Sequence, residues 1–390
     1  MASTITTKPT LPIRSSGSKK PGRTTKAPFY ATSPIWKDVT PIPLIDGPPL
    51  QPGQTDPGPA LASIAYSPRY SEAMSYLRAV MAVNEASRRV LDLTEDIIAM
   101  NPAHYTVWLY RAECLKKVWK REGLDVQDGV TEELQWLEGI SEKNLKNYQI
   151  WHHRQLLLSL MPSLPANETD FLARILSFDT KNYHVWSYRQ WLCRRFPDPL
   201  LNTDMELQAM DTMLTDDVRN NSAWNHRYFV CFGAEELRVI EEQQQPSGSG
   251  ANRRQVLEKD RGLLSVTDEE IVQREINYAK DRIYWAPQNA SPWNYLRGVL
   301  KRAGMELGDM QVFCERLVGG QDGDLLSEQN VKSSHALDWL AEIYRRDSNL
   351  KRSRVCLTAL ATKWDPVRRK YWEYRARELD DLEEGKDGSE

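Results

Sequence analysis

The chain has 390 residues, 41% hydrophobic and 27% charged, and its 51 Lys and Arg against 54 Asp and Glu leave a net charge of −3. These figures exclude a wholly disordered, a collagen-like or a strongly charged tail protein. A mean hydropathy of −0.59, with no apolar run near the ~18 residues a membrane helix needs, argues against an integral membrane protein.

From the N-terminus, 12 of the 22 prolines fall at or before Pro59, and Lys8, Arg14, Lys19, Lys20, Arg23, Lys26 and Lys37 precede any acidic residue. This composition predicts a disordered, basic, Pro-rich segment over 1–60. An acid-free basic start is also the composition of a transit peptide, but Pro9, Pro12, Pro21 and Pro28 would break the amphipathic helix such a signal needs. Beyond it, from about Tyr70, apolar residues recur at three and four, as in Val80, Val83, Ala86, Val90, Leu93 and Ile97, and alternating strand patterns are scarce. The body, 61–379, reads as all-α, and 380–390 as an acidic tail.

A repeat runs through that body. Trp108-x-x-Arg111, Trp151-x-x-Arg154, Trp186-x-x-Arg189, Trp224-x-x-Arg227 and Trp372-x-x-Arg375 share one pattern, and Trp293-Asn-Tyr-Leu-Arg297 has its Arg displaced by one. Trp151, Trp186 and Trp224 follow their predecessors by 43, 35 and 38 residues, the period of stacked supersecondary units. The longer gap before Trp293 contains a polar stretch, about 235–268, read as a loop insertion, and Trp339 marks a degenerate unit before Trp372. Helix-period segments at Glu132–Glu142, Asp170–Phe178 and Met205–Leu214 precede the Trp motifs, so each unit is a helix pair, about seven in all. Such pairs share their apolar faces by stacking, which predicts an α-α superhelix, a curved solenoid. Trp and Arg three apart lie on one helix face and are assigned to packing. Asn101-Pro102, Ser291-Pro292 and Asp365-Pro366 read as N-cap followed by N1, Asn147, Asn182 and Asn221 as caps, and His152 and His153 as packing residues beside Trp151.

Several chemistries lack their residues. The cysteines Cys114, Cys193, Cys231, Cys314 and Cys356 form no Cys-x-x-Cys, and the six histidines form no His-Glu-x-x-His, so a complete metal site in this chain and a disulfide framework are both disfavoured, and the compartment reads as reducing and cytoplasmic. No Gly-rich phosphate loop or Gly-x-Ser-x-Gly occurs, and a nucleic-acid footprint is weak. The turns before the tryptophans are richer: Lys146-Asn-Tyr-Gln-Ile-Trp151, Lys181-Asn-Tyr-His-Val-Trp186 and Arg219-Asn-Asn-Ser-Ala-Trp224 each set a cation and a capping Asn at a helix start. Two readings stay open: a rim of helix N-termini suited to an anion such as a diphosphate or carboxylate, or caps and packing residues beside solvated cations.

The phrases Lys146-Asn-Tyr-Gln-Ile-Trp-His-His-Arg154, Lys181-Asn-Tyr-His-Val-Trp-Ser-Tyr-Arg-Gln-Trp191 and Asn220-Asn-Ser-Ala-Trp-Asn-His-Arg-Tyr-Phe229 resemble the repeats of protein prenyltransferase α subunits. With Trp36-Lys-Asp-Val-Thr-Pro-Ile-Pro43, they are most similar to the branch serving farnesyltransferase and geranylgeranyltransferase type I, over about Trp36 to Arg377. The resemblance implies a crescent of hairpins wrapped around a β subunit that carries the catalytic Zn2+. With Mg2+ as a further cofactor, the enzyme would join a farnesyl or geranylgeranyl group from its diphosphate to the Cys of C-terminal Cys-a-a-X tails on proteins such as Ras-like small GTPases. By position, Lys146 matches the lysine that stabilises the leaving diphosphate, Gln149 the glutamine that binds the peptide carboxylate, and Tyr148, Tyr183 and His184 residues lining the same cavity. The Pro-rich start, the 235–268 insertion and the displaced Arg297 depart from the family pattern. Alternatives are the Rab geranylgeranyltransferase α subunit, which shares the repeats, and a non-enzymatic tetratricopeptide-like scaffold.

Overall fold

The computed structural model describes residues 30–44, 64–196, 203–233, 266–319 and 331–383, and among these every regular element is helical. Residues 1–29 and 45–60 of the N-terminal segment, most of the 235–268 insertion and the tail from 384 onward lie outside the described residues. Fifteen α-helices follow in order: α1 (Pro68–Ala82), α2 (Arg88–Met100), α3 (Tyr105–Glu122), α4 (Val126–Lys143), α5 (Tyr148–Leu158), α6 (Glu168–Phe178), α7 (Tyr183–Arg195), α8 (Thr203–Asp216), α9 (Asn221–Tyr228), α10 (Val266–Trp285), α11 (Ala290–Ala303), α12 (Gln311–Val318), α13 (Ser334–Arg346), α14 (Leu350–Ala359) and α15 (Arg369–Glu383). From α2 onward they pair in sequence, and the seven repeat tryptophans all lie in second helices, α3, α5, α7, α9, α11, α13 and α15, each no more than 6% exposed. The chain divides into two compact units, Met1–Glu133 and Leu134–Glu390.

In the first unit, Tyr30–Leu44 has a definite place within the segment read as disordered. Trp36 is buried, with the Tyr30 and Tyr76 rings 5.6 and 5.5 Å away and the Arg89 guanidinium 5.0 Å over it. Arg89 also holds Asp38 and Glu85, Tyr30 donates to Asp96 at 2.7 Å, and the Ile42 amide donates to the Ser75 carbonyl. One large buried indole is enough to anchor a proline-rich strand that has little else to bury. The apolar run from Val80 to Ile97 is two helices rather than one: Asn84 adopts a left-handed φ of 52°, Ser87 caps α2 by accepting from Val90 N, and Val83 is exposed. Gly129 sits inside α4 because a Cβ there would meet the Trp119 ring at 2.5 Å.

In the second unit two recurrent networks explain the repeat motif. The first stitches turns. The Leu145 carbonyl accepts from Trp151 Nε1 of its own hairpin at 3.3 Å and from Asn182 Nδ2 of the next at 2.9 Å. Thr180 O likewise accepts from Trp186 and Asn220, Val218 O from Trp224 and Asn289, and Pro287 O from Trp293 and Ser333. Each indole thus ties its helix to the preceding turn, and each N-cap side chain ties that turn to the next hairpin. The caps are Asn147, Asn182 and Asn220, so the expectation for Asn221 is corrected: Asn220 accepts from Ser222 N and Ala223 N, and Asn221 is the first helical residue. Ser291-Pro292 is corrected too, since Asn289 caps α11, and Asn101 ends α2 rather than starting α3.

The second network is buried and ionic. Arg154 makes a two-pronged pair with Glu168 of the following helix, Arg189 with Glu206 and Arg227 with Glu275; within the first unit Arg111 does the same with Glu133. Three of these glutamates are also bound by the residue two positions after the next repeat tryptophan: Tyr188 on Glu168, His226 on Glu206 and Tyr295 on Glu275. Planar two-point pairing explains why arginine, not lysine, occupies the motif. With Tyr295 already in place, the displaced Arg297 turns to Glu342 and lies 4.9 Å over the Trp339 ring. His153 is buried as expected, whereas His152, rotated about 100° from Trp151, is exposed.

These clamps make the fold acid-sensitive. Burial holds the His226 imidazole below its usual pKa, with Glu206 opposing. Burial alone would raise Glu206, but Arg189 and His226 bring it to about 2. A depressed histidine binds more protons in the unfolded chain, so its stability is present above pH ~6.5 and lost as pH falls below it; the glutamate's is present above ~4.5 and lost toward ~2. The thermal midpoint should therefore fall between pH 7 and 5, with a shallower fall in His226→Gln, which keeps a donor toward Glu206 but cannot titrate; an unchanged slope would remove His226 from this role.

Candidate functional site

The predicted site residues occupy two successive turns of the second unit. The turn before α5 closes through Asn147 N donating to Asn144 O, and Asn147 Oδ1 accepts from Gln149 N at 2.8 Å. Tyr148 is thereby the first residue of α5 and Gln149 the second. One hairpin on, Asn182 Oδ1 accepts from His184 N at 3.0 Å, which makes Tyr183 and His184 the corresponding pair on α7. Because the Asn182 amide also reaches back to Leu145 O, the two helix starts are held in fixed register.

That register brings four of the five together. The His184 ring meets Tyr148 edge-on at 4.2 Å between centroids and Tyr183 at 5.7 Å. Lys146 is 79% exposed, and its Nζ lies 3.7 Å from Asp179 Oδ2. Burial, then the charge of Lys146, holds the His184 pKa below its ordinary value, so the ring is neutral at pH 7 and can donate or accept. Tyr148 and Tyr183 are 66% and 69% exposed, unusual for side chains this large and apolar. Gln149 shares the first turn of α5, but its side chain forms no hydrogen bond among the described residues.

Sequence reasoning missed Asp179. It accepts from Lys181 N at 3.4 Å through one oxygen and faces Lys146 with the other. The pattern repeats at Asp217, which accepts from Arg219 N at 2.9 Å and pairs with Lys181 at 3.1 Å. The signal was legible as Asp-x-Lys and Asp-x-Arg at the turn. Each turn cation leans toward the next turn's aspartate, but such exposed pairs contribute only about 0–1 kcal/mol, so an incoming anion can redirect Lys146 at little cost.

The structure also assembles Cys193, Glu206 and His226, whose ligand atoms lie within 4.8 Å of one another. They do not suit zinc. Both Glu206 oxygens are engaged by Arg189, with His226 on one of them, and burial pushes the Cys193 thiol up to about 12, far from the thiolate a metal binds. A dication would have to displace a buried guanidinium.

Comparison with known proteins fits this architecture. The model of the protein prenyltransferase alpha subunit repeat matches residues 87–118, 130–161, 165–196, 203–233 and 272–303, the first five hairpins. The Candida albicans protein farnesyltransferase/geranylgeranyltransferase type-1 subunit alpha is 34% identical over 327 residues, covering 82% of this chain and 92% of that protein. The Dictyostelium discoideum subunit of the same name is 31% identical, covering 90% and 94%. Among solved structures, Candida albicans protein geranylgeranyltransferase-I complexed with GGPP superposes with a TM-score of 0.66 at 33% identity, over 88% of this chain and 97% of that one. Five matched repeats and near-complete coverage of the type-1 subunits, on a scaffold whose tryptophan and arginine ladders are those repeats, place this chain in the protein prenyltransferase α-subunit family, among the α subunits of type-1 farnesyl- and geranylgeranyltransferases.

Proposed function

We propose that the chain acts in the cytoplasm as the α half of a heterodimer whose β subunit completes the active site, transferring a farnesyl or geranylgeranyl group to the Cys of C-terminal Cys-a-a-X tails. The observation that carries this reading is the cluster of Lys146, Tyr148, Tyr183 and His184 on one exposed rim. A mobile ammonium beside neutral hydrogen-bonding rings is what a departing diphosphate needs: charge develops on the leaving oxygens as the C–O bond breaks, and a positioned cation stabilises it more in the transition state than in the ground state. Lys146 supplies that charge. Tyr148, Tyr183 and His184 wall the cavity, orient phosphate oxygens and exclude water, and Gln149 donates its side-chain amide to the carboxylate of the peptide. Zinc, held by the β subunit, supplies the chemistry of presenting the cysteine sulfur as a thiolate; magnesium is proposed to arrive with the diphosphate.

Co-expression tests this. The chain alone should show no transfer, and with a type-1 β subunit it should regain zinc-dependent transfer. Within that heterodimer, Gln149→Ala should raise the peptide KM several-fold with kcat little changed, as expected for uniform binding. Turnover by the isolated chain would overturn the assignment, and an unchanged peptide KM would release Gln149 from its role.

A further inference from the structure

Two grooves between successive first helices of the second unit are closed by ion pairs. Arg174 of α6 meets Glu138 of α4 at 2.7 Å, and Arg282 of α10 meets Asp211 of α8. Between α10 and α12, the first helices of the fifth and sixth hairpins, no such pair forms among the described residues, and an open cleft of about 540 Å3 remains. Lys280, Asp281 and Tyr284 of α10 line one wall. Asp309, from a 3-10 turn at Leu307–Met310, and Phe313 and Arg316 of α12 line the other.

The charges of this cleft are not used by the fold. Lys280, Asp281, Asp309 and Arg316 form no ion pair among the described residues. Lys280 Nζ instead lies 5.4 Å from the centre of the Phe313 ring, and burial, then the charge of Arg316 working against Cys314, holds its pKa below the ordinary lysine value. Two cations near enough to act on each other, and paired with no acid, disfavour one another until an anion joins them. Tyr284 stands edge-on to Phe313 at 5.4 Å and is 50% exposed, so its ring offers free surface to the cleft.

We propose that the cleft between α10 and α12 binds a nucleoside diphosphate. Its volume is that of a small-molecule site, and each kind of lining group has a counterpart in such a ligand. Lys280 and Arg316 take the two phosphates through charge-assisted hydrogen bonds. Tyr284 stacks on the base, which any purine or pyrimidine face allows. Asp281 and Asp309, left over by the cations, accept from the ribose hydroxyls, the use a carboxylate has in other nucleotide sites. The two acids also discriminate against the alternatives. An isoprenoid diphosphate would satisfy the cations but lay an apolar chain against unpaired carboxylates, and an acidic peptide or a nucleic-acid strand would bring further negative charge to them. The cleft belongs to the fifth and sixth hairpins and Lys146 to the second, so this assignment does not rest on the roles given to Lys146 and Gln149.

The test is calorimetric titration of the α–β heterodimer with ADP and with GDP, at least one of which should bind. Lys280→Met with Arg316→Met should weaken that binding about 10- to 100-fold, the value of the charge-assisted hydrogen bonds removed. Arg316→Met alone, a change at an exposed position, should weaken it several-fold with the unfolding midpoint unmoved. Tyr284→Ser should weaken it about 5- to 100-fold by removing the stacking surface. Inorganic diphosphate and the free nucleoside should each bind more weakly than the nucleotide, and Lys146→Ala should bind the nucleotide unchanged. The cleft variants should transfer prenyl groups to a soluble Cys-a-a-X peptide at the unmodified rate. Failure of both nucleotides to bind, diphosphate or nucleoside binding as tightly as the nucleotide, binding lost in Lys146→Ala but kept in the cleft variants, or loss of peptide transfer in Arg316→Met would each overturn the proposal.

Discussion

Replacing Lys146 by alanine should slow prenyl transfer roughly 10- to 1,000-fold, the range for removing a charge contact of roughly 1.5–4 kcal/mol from a transition state. The structure makes this a clean experiment. The side chain is 79% exposed and its one ion-pair partner among the described residues, Asp179, lies 3.7 Å away, so the substitution opens no cavity and leaves no buried charge unpaired. The heterodimer should therefore assemble normally, and its unfolding midpoint should move little. The loss should appear in single-turnover rates of the bound diphosphate more than in its affinity, since the charge on the leaving oxygens grows as the bond breaks. Asp179→Asn is the informative companion: it frees Lys146 from its resting partner and should leave turnover equal or faster. If Lys146→Ala turns over normally, the lysine is a solvated turn residue and the exposed aromatic rim needs another explanation.

How much of this was legible in the sequence depended on whether a feature was local. Trp151, Trp186 and Trp224 could be read because one indole fills the same gap in each hairpin and bonds a carbonyl six residues back, a constraint that stays within one unit. The caps were legible as a residue type but not to the position where Asn220 and Asn221 stand side by side. Glu168, Glu206 and Glu275 were invisible, although each lies 20 residues before the Tyr or His that binds it. Nothing along a helix distinguishes the one inward acid from its solvated neighbours until the next hairpin supplies an arginine. The rim cluster was legible only as a set of neighbours in each turn; that Tyr148 and His184 touch follows from a hydrogen bond, Asn182 to Leu145 O, that spans hairpins.

Arg154 is the opposite case to Lys146, and its removal should cost stability rather than chemistry. Arg154 and Glu168 are each 1% exposed, joined by two hydrogen bonds of 2.8 and 2.6 Å, with the guanidinium 3.7 Å from the Phe171 ring and Tyr188 on the same carboxylate. Burial opposes the charge on Arg154 and Glu168 outweighs it. Arg154→Met should therefore destabilise by ~3–5 kcal/mol, because it strands Glu168 in the interior with only a tyrosine hydroxyl. Most of that cost is the uncompensated carboxylate and not the intrinsic value of the pair, and a triple variant separates the two. Arg154→Met with Glu168→Leu and Tyr188→Phe removes every charged or hydroxyl group of the cluster together, and its stability should return to within about 1–2 kcal/mol of the unmodified protein. Denaturant unfolding of the heterodimer reads both values. A triple variant as unstable as Arg154→Met would mean that the ion pair itself, rather than the avoidance of a lone buried charge, holds α5 against α6, and the arginine ladder would then be a source of stability instead of a device that fixes which hairpin stacks on which.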